Sequence, residues 1–165
     1  MNRGLFHQAL DRIGDATPMH FDCGRLCAAA CCAPDEDGQG GVYLFPGEFA
    51  EDFDWGDTVR DSFGDMLVCR EACDRDYRPF ACRIFPLTPY LGKAGEWQVR
   101  MDARARPVCP MVKYGLRGLD PEFVRRVREA LRLLASDPEY EAFLRRWQAL
   151  EERYRIRIED LAART

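Results

Sequence analysis

Histidine, the side chain most often used for acid–base work near neutral pH, is scarce: the 165-residue chain has two, His7 and His20. Neither has a recognisable nucleophile–base partner in the sequence, so acid–base catalysis has no positive support. No apolar run approaches the roughly 20 residues needed to cross a bilayer, which excludes an integral helical membrane protein. The opening Met1-Asn2-Arg3-Gly4-Leu5-Phe6-His7 lacks the apolar stretch and small-residue cleavage site of a secretory signal. The expected location is therefore cytoplasmic. There is no strand followed by a GxGxxG-like turn and helix for a nucleoside cofactor. Gly38-Gln39-Gly40-Gly41 lies in an acidic loop and reads as a flexible turn. A net positive charge is also missing: the chain carries -4 with a pI near 5.3, whereas a nucleic-acid binder wants one-sided basic clustering. No nucleic-acid partner is expected.

What is present is charge patterning and cysteine. Between Ala33 and Val68, ten acidic residues face one base, Arg60. From Cys69 to Leu119 ten basic residues face five acidic ones. Two such segments can complement each other within one fold. A length of 165 residues, with 47% apolar residues and 12% aromatics, suits a single domain with a real core.

The eight cysteines fall at Cys23, Cys27, Cys31, Cys32, Cys69, Cys73, Cys82 and Cys109. A dense cysteine pattern in a reducing compartment points to metal more than to disulfides, and a core of this size does not need disulfides to stand. Cys23, Cys27 and Cys31 stand at i, i+4 and i+8, with Ala28-Ala29-Ala30 as a favourable helical insert. A continuous helix would put Cys23 and Cys31 roughly 12 Å apart, too far to share an ion whose sulfurs lie about 2.3 Å from it. Two arrangements satisfy that constraint. Either the cysteines serve two metals or a multinuclear centre, or Gly24 breaks the helix and Cys23 folds back. Cys32, about 100° around a helix from Cys31, points toward a second site. Eight ligands divided over two metals, or a multinuclear centre, is the favoured arrangement.

The second cysteine group lies among Pro79, Pro86, Pro89, Pro107 and Pro110, which keep much of that region out of regular helix. A metal can hold such an irregular segment in place of secondary structure. Arg78 and Arg83 flank Cys82 and are placed to neutralise thiolate charge and donate hydrogen bonds to sulfur. His20, three residues before Cys23, is a weaker candidate ligand.

CGRLCAAACC, a later cysteine pair, RPFACRIFPL and a final Cys-Pro together resemble the YkgJ-type cysteine-cluster proteins. Val42-Tyr43-Leu44-Phe45-Pro46-Gly47-Glu48 resembles the apolar strand and acidic turn that follow the first cysteines there. The likeness runs from Phe21 to Pro110, with a first spacing of C-x3-C-x3-CC where the family has C-x2-C-x2-CC. It implies a zinc- or iron-chelating domain, related to one carried by flagellin lysine-N-methylase. Carried over by position, the eight cysteines would be the ligands, and Arg78, Pro79, Arg83, Phe85 and Pro86 the signature around Cys82.

Zinc is the expected metal, since all-cysteine tetrahedral sites are common structural zinc sites; the alternative is iron or an iron–sulfur cluster with a redox or methyltransferase-associated role. The expected fold is α+β, a Cys-rich core over 21–110 with short strands, packed with C-terminal helices over 120–163. Val42 to Phe45 and Trp97 to Met101 are the strand candidates, with Met66 to Val68 a weaker third, while 48–68 otherwise reads as loop and short helix. Leu5, Phe6, Ala9, Leu10 and Ile13 mark an N-terminal helix. Asp120-Pro121-Glu122 and Ser136-Asp137-Pro138-Glu139 are start signals for two amphipathic helices forming a helical hairpin. Their apolar stripe packs on the chain's own core or serves a homodimer or protein partner.

Overall fold

The structure is a computed structural model that describes residues 2–33, 40–70, 73 and 75–163. The Gly38-Gln39 part of the glycine-rich turn, and the acidic residues Asp35, Glu36, Asp37, Glu71 and Asp74, lie outside the described residues.

The fold is α+β, as expected. Helix α1 (Arg3–Ile13) begins where the Asn2 side chain accepts the N–H of Leu5 at 3.1 Å, and its 3.6-residue period buries Phe6, Ala9 and Ile13. A single helical turn, α2 (Gly24–Cys27), and a 3-10 turn (Ala30–Cys32) follow. Strands β1 (Val42–Tyr43), β2 (Gly56–Arg60) and β3 (Asp65–Cys69) form an antiparallel sheet in the order β1-β3-β2. The short helix α3 (Phe80–Ile84) leads into the hairpin of β4 (Leu87–Leu91) and β5 (Trp97–Met101), with Pro89 opposite Val99. Helices α4 (Pro121–Leu134) and α5 (Pro138–Ala162) close the chain.

All three strand candidates exist, but two further strands were not expected. Strand β2 reads as loop in the sequence because Asp57 to Arg60 are exposed, so it has no buried face to print an alternating pattern. Strand β4 is concealed by Pro89, which a strand accepts only where its missing N–H has no pairing duty, as on an edge. The proline-rich segment also holds more helix than expected: Pro79 stands at the N-cap of α3 and Phe80, Ala81 and Ile84 are buried behind it.

The C-terminal start signals hold. Asp120 accepts the N–H of Glu122 at 2.8 Å with Pro121 at the first helical position, and Asp137 accepts the N–H of Glu139 at 2.9 Å. The two helices grip different parts of the fold: α4 lies against α1 and β5, and α5 against β4 and the 3-10 turn Ala103–Ala105, more than against each other. Tyr140, Leu144 and Trp147 are buried, so the stripe of α5 through its first half is used within the chain. One core joins α1, α3, the β4–β5 hairpin, α4 and α5; a smaller one holds Leu44, Phe53 and Leu67. Aromatic rings link the layers, with Phe45 4.6 Å from Phe80 and 5.1 Å from Trp147 between centroids.

The basic segment is balanced mostly by α5. Arg100 pairs with Glu151 and, at 2.6 Å, with Glu152, while Arg70 reaches back to Asp57 at 3.1 Å. Among the described residues, no helix is long and apolar enough to cross a membrane.

Candidate metal centre

The first cysteine group is not a continuous helix. Helix α2 stops at Cys27, and both Ala28 (φ 51) and Ala29 (φ 54) adopt the left-handed conformation. Non-glycine residues rarely do so, since Cβ crowds the neighbouring carbonyl at a cost of roughly 1–2 kcal/mol per residue. The Ala28–Ala30 helical insert is thereby corrected. The chain does fold back, but at Ala28-Ala29 and not at Gly24, which opens the helix under the Asp22 carboxylate. The reversal carries Cys31 and Cys32 round on a new turn in which Cys32 N–H donates to Ala29 O at 2.7 Å.

The other four cysteines arrive from separate elements. Cys69 ends β3 opposite Gly56. Cys73 follows it, Cys82 is carried on α3, and Cys109 leads into a 3-10 turn that starts at Pro110. None of the eight is in a disulfide, and all eight line two adjoining cavities. The smaller, of ≈ 60 Å³, is bordered by Cys23, Cys27, Cys31, Cys82 and Cys109. The larger, of ≈ 240 Å³, is bordered by Cys31, Cys32, Cys69, Cys73 and Cys82. Cys31, Cys82 and Arg78 belong to both walls.

The electrostatics follow this gathering. The Cys31 thiol donates a hydrogen bond to Cys32, and that bond, helped by Arg78, brings Cys32 down to about 6 against the opposing effect of burial. Cys31 is correspondingly raised. Burial pushes Cys82 well up, reinforced by the thiols of Cys69, Cys32 and Cys73; Cys69 rises for the same two reasons. At Cys109 burial is partly offset by backbone N–H groups of Met111 and Val112 that donate to the sulfur. Arg78 donates to the Cys73 sulfur and faces Cys32 and Cys82. Arg83 is turned elsewhere, with Nε donating to the carbonyl of Arg78 at 3.0 Å and a second nitrogen to that of Asp76. It shapes the loop, and Arg78 serves the sulfurs.

His20 lies outside both linings, with Nδ1 2.9 Å from the Asp120 carboxylate. No motif or spacing marks the far wall of the larger cavity, where Asp102, Arg104 and Trp147 stand. There Asp102 holds Arg104 through two hydrogen bonds of 2.9 and 2.6 Å, and Trp147 Nε1–H donates to Thr88 Oγ1 at 3.0 Å. The amides at Met111 and Val112 were missed as well, although a Cys-Pro step that turns the chain back over its own sulfur is a usable signal.

Among the described residues, no three Cys, His, Asp or Glu side chains converge closely enough to hold an ion as they stand. The donor chemistry nevertheless suits a thiophilic metal: the cavities offer sulfur, N–H donors to sulfur and the Arg78 guanidinium, and Asp102, the carboxylate on their walls, is already paired with Arg104. Comparison with family models, with curated proteins and with solved structures finds no match to this chain.

Proposed function

We propose that this protein is a metal-chelating cysteine-cluster protein that binds zinc through its eight thiolates and uses the metal to order the loops that carry them. One observation supports this reading above the others: eight cysteines from five separate stretches of chain line two cavities that share a wall. Unrelated buried thiols would be scattered through the core as small apolar groups. Here the fully buried residues of the main core include no cysteine, and Cys109 alone of the eight packs against it.

Binding requires the thiols to swing inward from the cavity walls and lose their protons. The donors already in place suit that state. Arg78 faces three of the sulfurs, and the Met111 and Val112 amides face a fourth, which is how thiolate charge around a metal is usually relieved. A zinc with four sulfur ligands has no open position, so the role is structural or regulatory. A reducing cytoplasm would keep the thiols available. The YkgJ-type likeness of the motifs agrees with this reading.

Metal analysis and a visible spectrum of protein purified without oxygen test it. The expected result is a colourless protein containing zinc, with its thiols protected from alkylation until a chelator is added. A brown protein with iron and acid-labile sulfide would replace zinc by an iron–sulfur cluster. Metal-free protein that takes up neither zinc nor iron would overturn the reading.

A further inference from the structure

We infer that the thiols form two separate four-sulfur zinc sites, Cys23, Cys27, Cys31 and Cys109 in one and Cys32, Cys69, Cys73 and Cys82 in the other, set back to back at the adjacent Cys31 and Cys32. This rests on the metal reading above and assigns its ligands.

The cavity walls divide the cysteines. Cys23, Cys27 and Cys109 border only the smaller cavity, and Cys32, Cys69 and Cys73 only the larger. Cys31 and Cys82 lie between. Cys31 is hydrogen-bonded to Cys32 and also feels Cys23 and Cys27, while Cys27 acts on Cys109. Cys31 borders the smaller cavity and is the sulfur left to complete four there once Cys82 is placed. Cys82 feels Cys69, Cys32 and Cys73. Each side then has four sulfurs, the number a closed zinc site takes.

The backbone supplies an independent reason. Two consecutive left-handed alanines are a strained way to leave a helix, and strain of this kind persists where the surroundings demand it. The reversal at Ala28-Ala29 brings Cys31 back toward Cys23 and Cys27, which a straight helix would hold apart. It also leaves the next residue, Cys32, on the other cavity. Successive residues on a 3-10 turn point about 120° apart, so one adjacent pair can feed two sites. Arg78 sides with the second group, bonded to Cys73 and facing Cys32 and Cys82.

The test uses the full chain loaded with zinc and stripped in steps by a chelator, with released thiols alkylated and mapped by mass spectrometry. Two zinc ions per chain are expected, with alkylation in two blocks, Cys23/Cys27/Cys31/Cys109 and Cys32/Cys69/Cys73/Cys82. Cys109→Ser should lower the zinc content from two to one and leave the second block protected. The stepwise stripping of the unaltered chain stands even if that variant fails to fold. Release of all eight thiols together, or of Cys31 with Cys69, would overturn the partition while leaving metal binding intact. No zinc uptake, with all eight thiols alkylated from the start, would overturn the metal reading and the partition with it.

Discussion

Glu48 Oε1 accepts the backbone N–H of Phe80 at 2.6 Å while its Oε2 accepts that of Phe45, also at 2.6 Å. One carboxylate from the acidic segment thus fixes the start of α3, two residues before Cys82, against the stretch that follows β1. Burial raises Glu48 to about 7 from its ordinary 4.5, and the two amides oppose that rise without cancelling it.

The sign of the pH effect follows. A carboxyl raised in the folded state favours folding when protonated, so its stabilising contribution is complete below about 4.5 and is lost as pH rises through about 7. Glu48→Gln removes that titration and leaves one of the two amides without its acceptor, at a cost of about 1–3 kcal/mol. Urea midpoints measured in parallel on the metal-free reduced protein should show wild type losing stability between those pH values more steeply than the variant. Parallel curves would contradict this account.

Arg78 and Arg83 are indistinguishable in the sequence, one on each side of Cys82, and the structure separates them. Arg78→Gln removes the donor to Cys73 and the charge facing Cys32 and Cys82. Zinc affinity should fall about 10–100-fold, the usual cost of losing a partner behind the ligands, as read by competition with a chromophoric chelator. Arg83→Gln should act mainly on folding, because its bonds go to the carbonyls of Arg78 and Asp76.

What the sequence revealed depends on whether a residue's role is local. Asp120 and Asp137 cap the helices they precede, so four residues were enough to find each start. The alanine run misled because propensity favours helix at Ala28 and Ala29, and only long-range demands can push such residues to a positive φ. Strand β4 was hidden by Pro89, whose tolerance depends on which neighbour lies beside it. The cysteines were legible as a set by type and spacing. Their division between two cavities was not, because it depends on how β3, α3 and the Cys109 turn meet in space. Asp102 and Arg104 carried no signal, and Trp147, legible as part of the apolar stripe of α5, joins them on a cavity wall only through folding.

The strain at Ala28 and Ala29 can be relieved directly. Glycine accepts φ near 50° without the Cβ clash, but it costs roughly 0.5–1 kcal/mol more in unfolded-chain entropy than alanine. The double variant Ala28→Gly, Ala29→Gly should therefore fold with stability equal to wild type or up to about 3 kcal/mol higher, and retain full zinc content. Ala29→Val places a β-branched side chain where such residues are genuine outliers and should lose zinc from the first cysteine group. Equal zinc content in both variants would show that the left-handed turn is not needed for binding.

Glu151 tests the other half of the fold. It is fully buried and accepts from Arg100, from Arg155 at 2.6 Å and from the N–H of Ala103 at 3.1 Å. This joins α5 to the end of β5 just beside Asp102 and Arg104 on the cavity wall. Glu151→Ala leaves the Ala103 amide without its acceptor and removes one of two partners from each of Arg100, which keeps Glu152, and Arg155, which keeps the Met101 carbonyl, for which about 1–3 kcal/mol is the expected loss. Hydrogen exchange should report faster opening in α5 and β5 for this variant. Removing metal from the wild type should do the reverse, exposing amides around 23–32 while Phe80, Phe123, Leu131 and Leu144 hold α3, α4 and α5 in the shared main core. If chelation instead opened every helix at the same rate, the thiol-bearing loops and the helical core would be one cooperative unit, and metal would stabilise the whole chain.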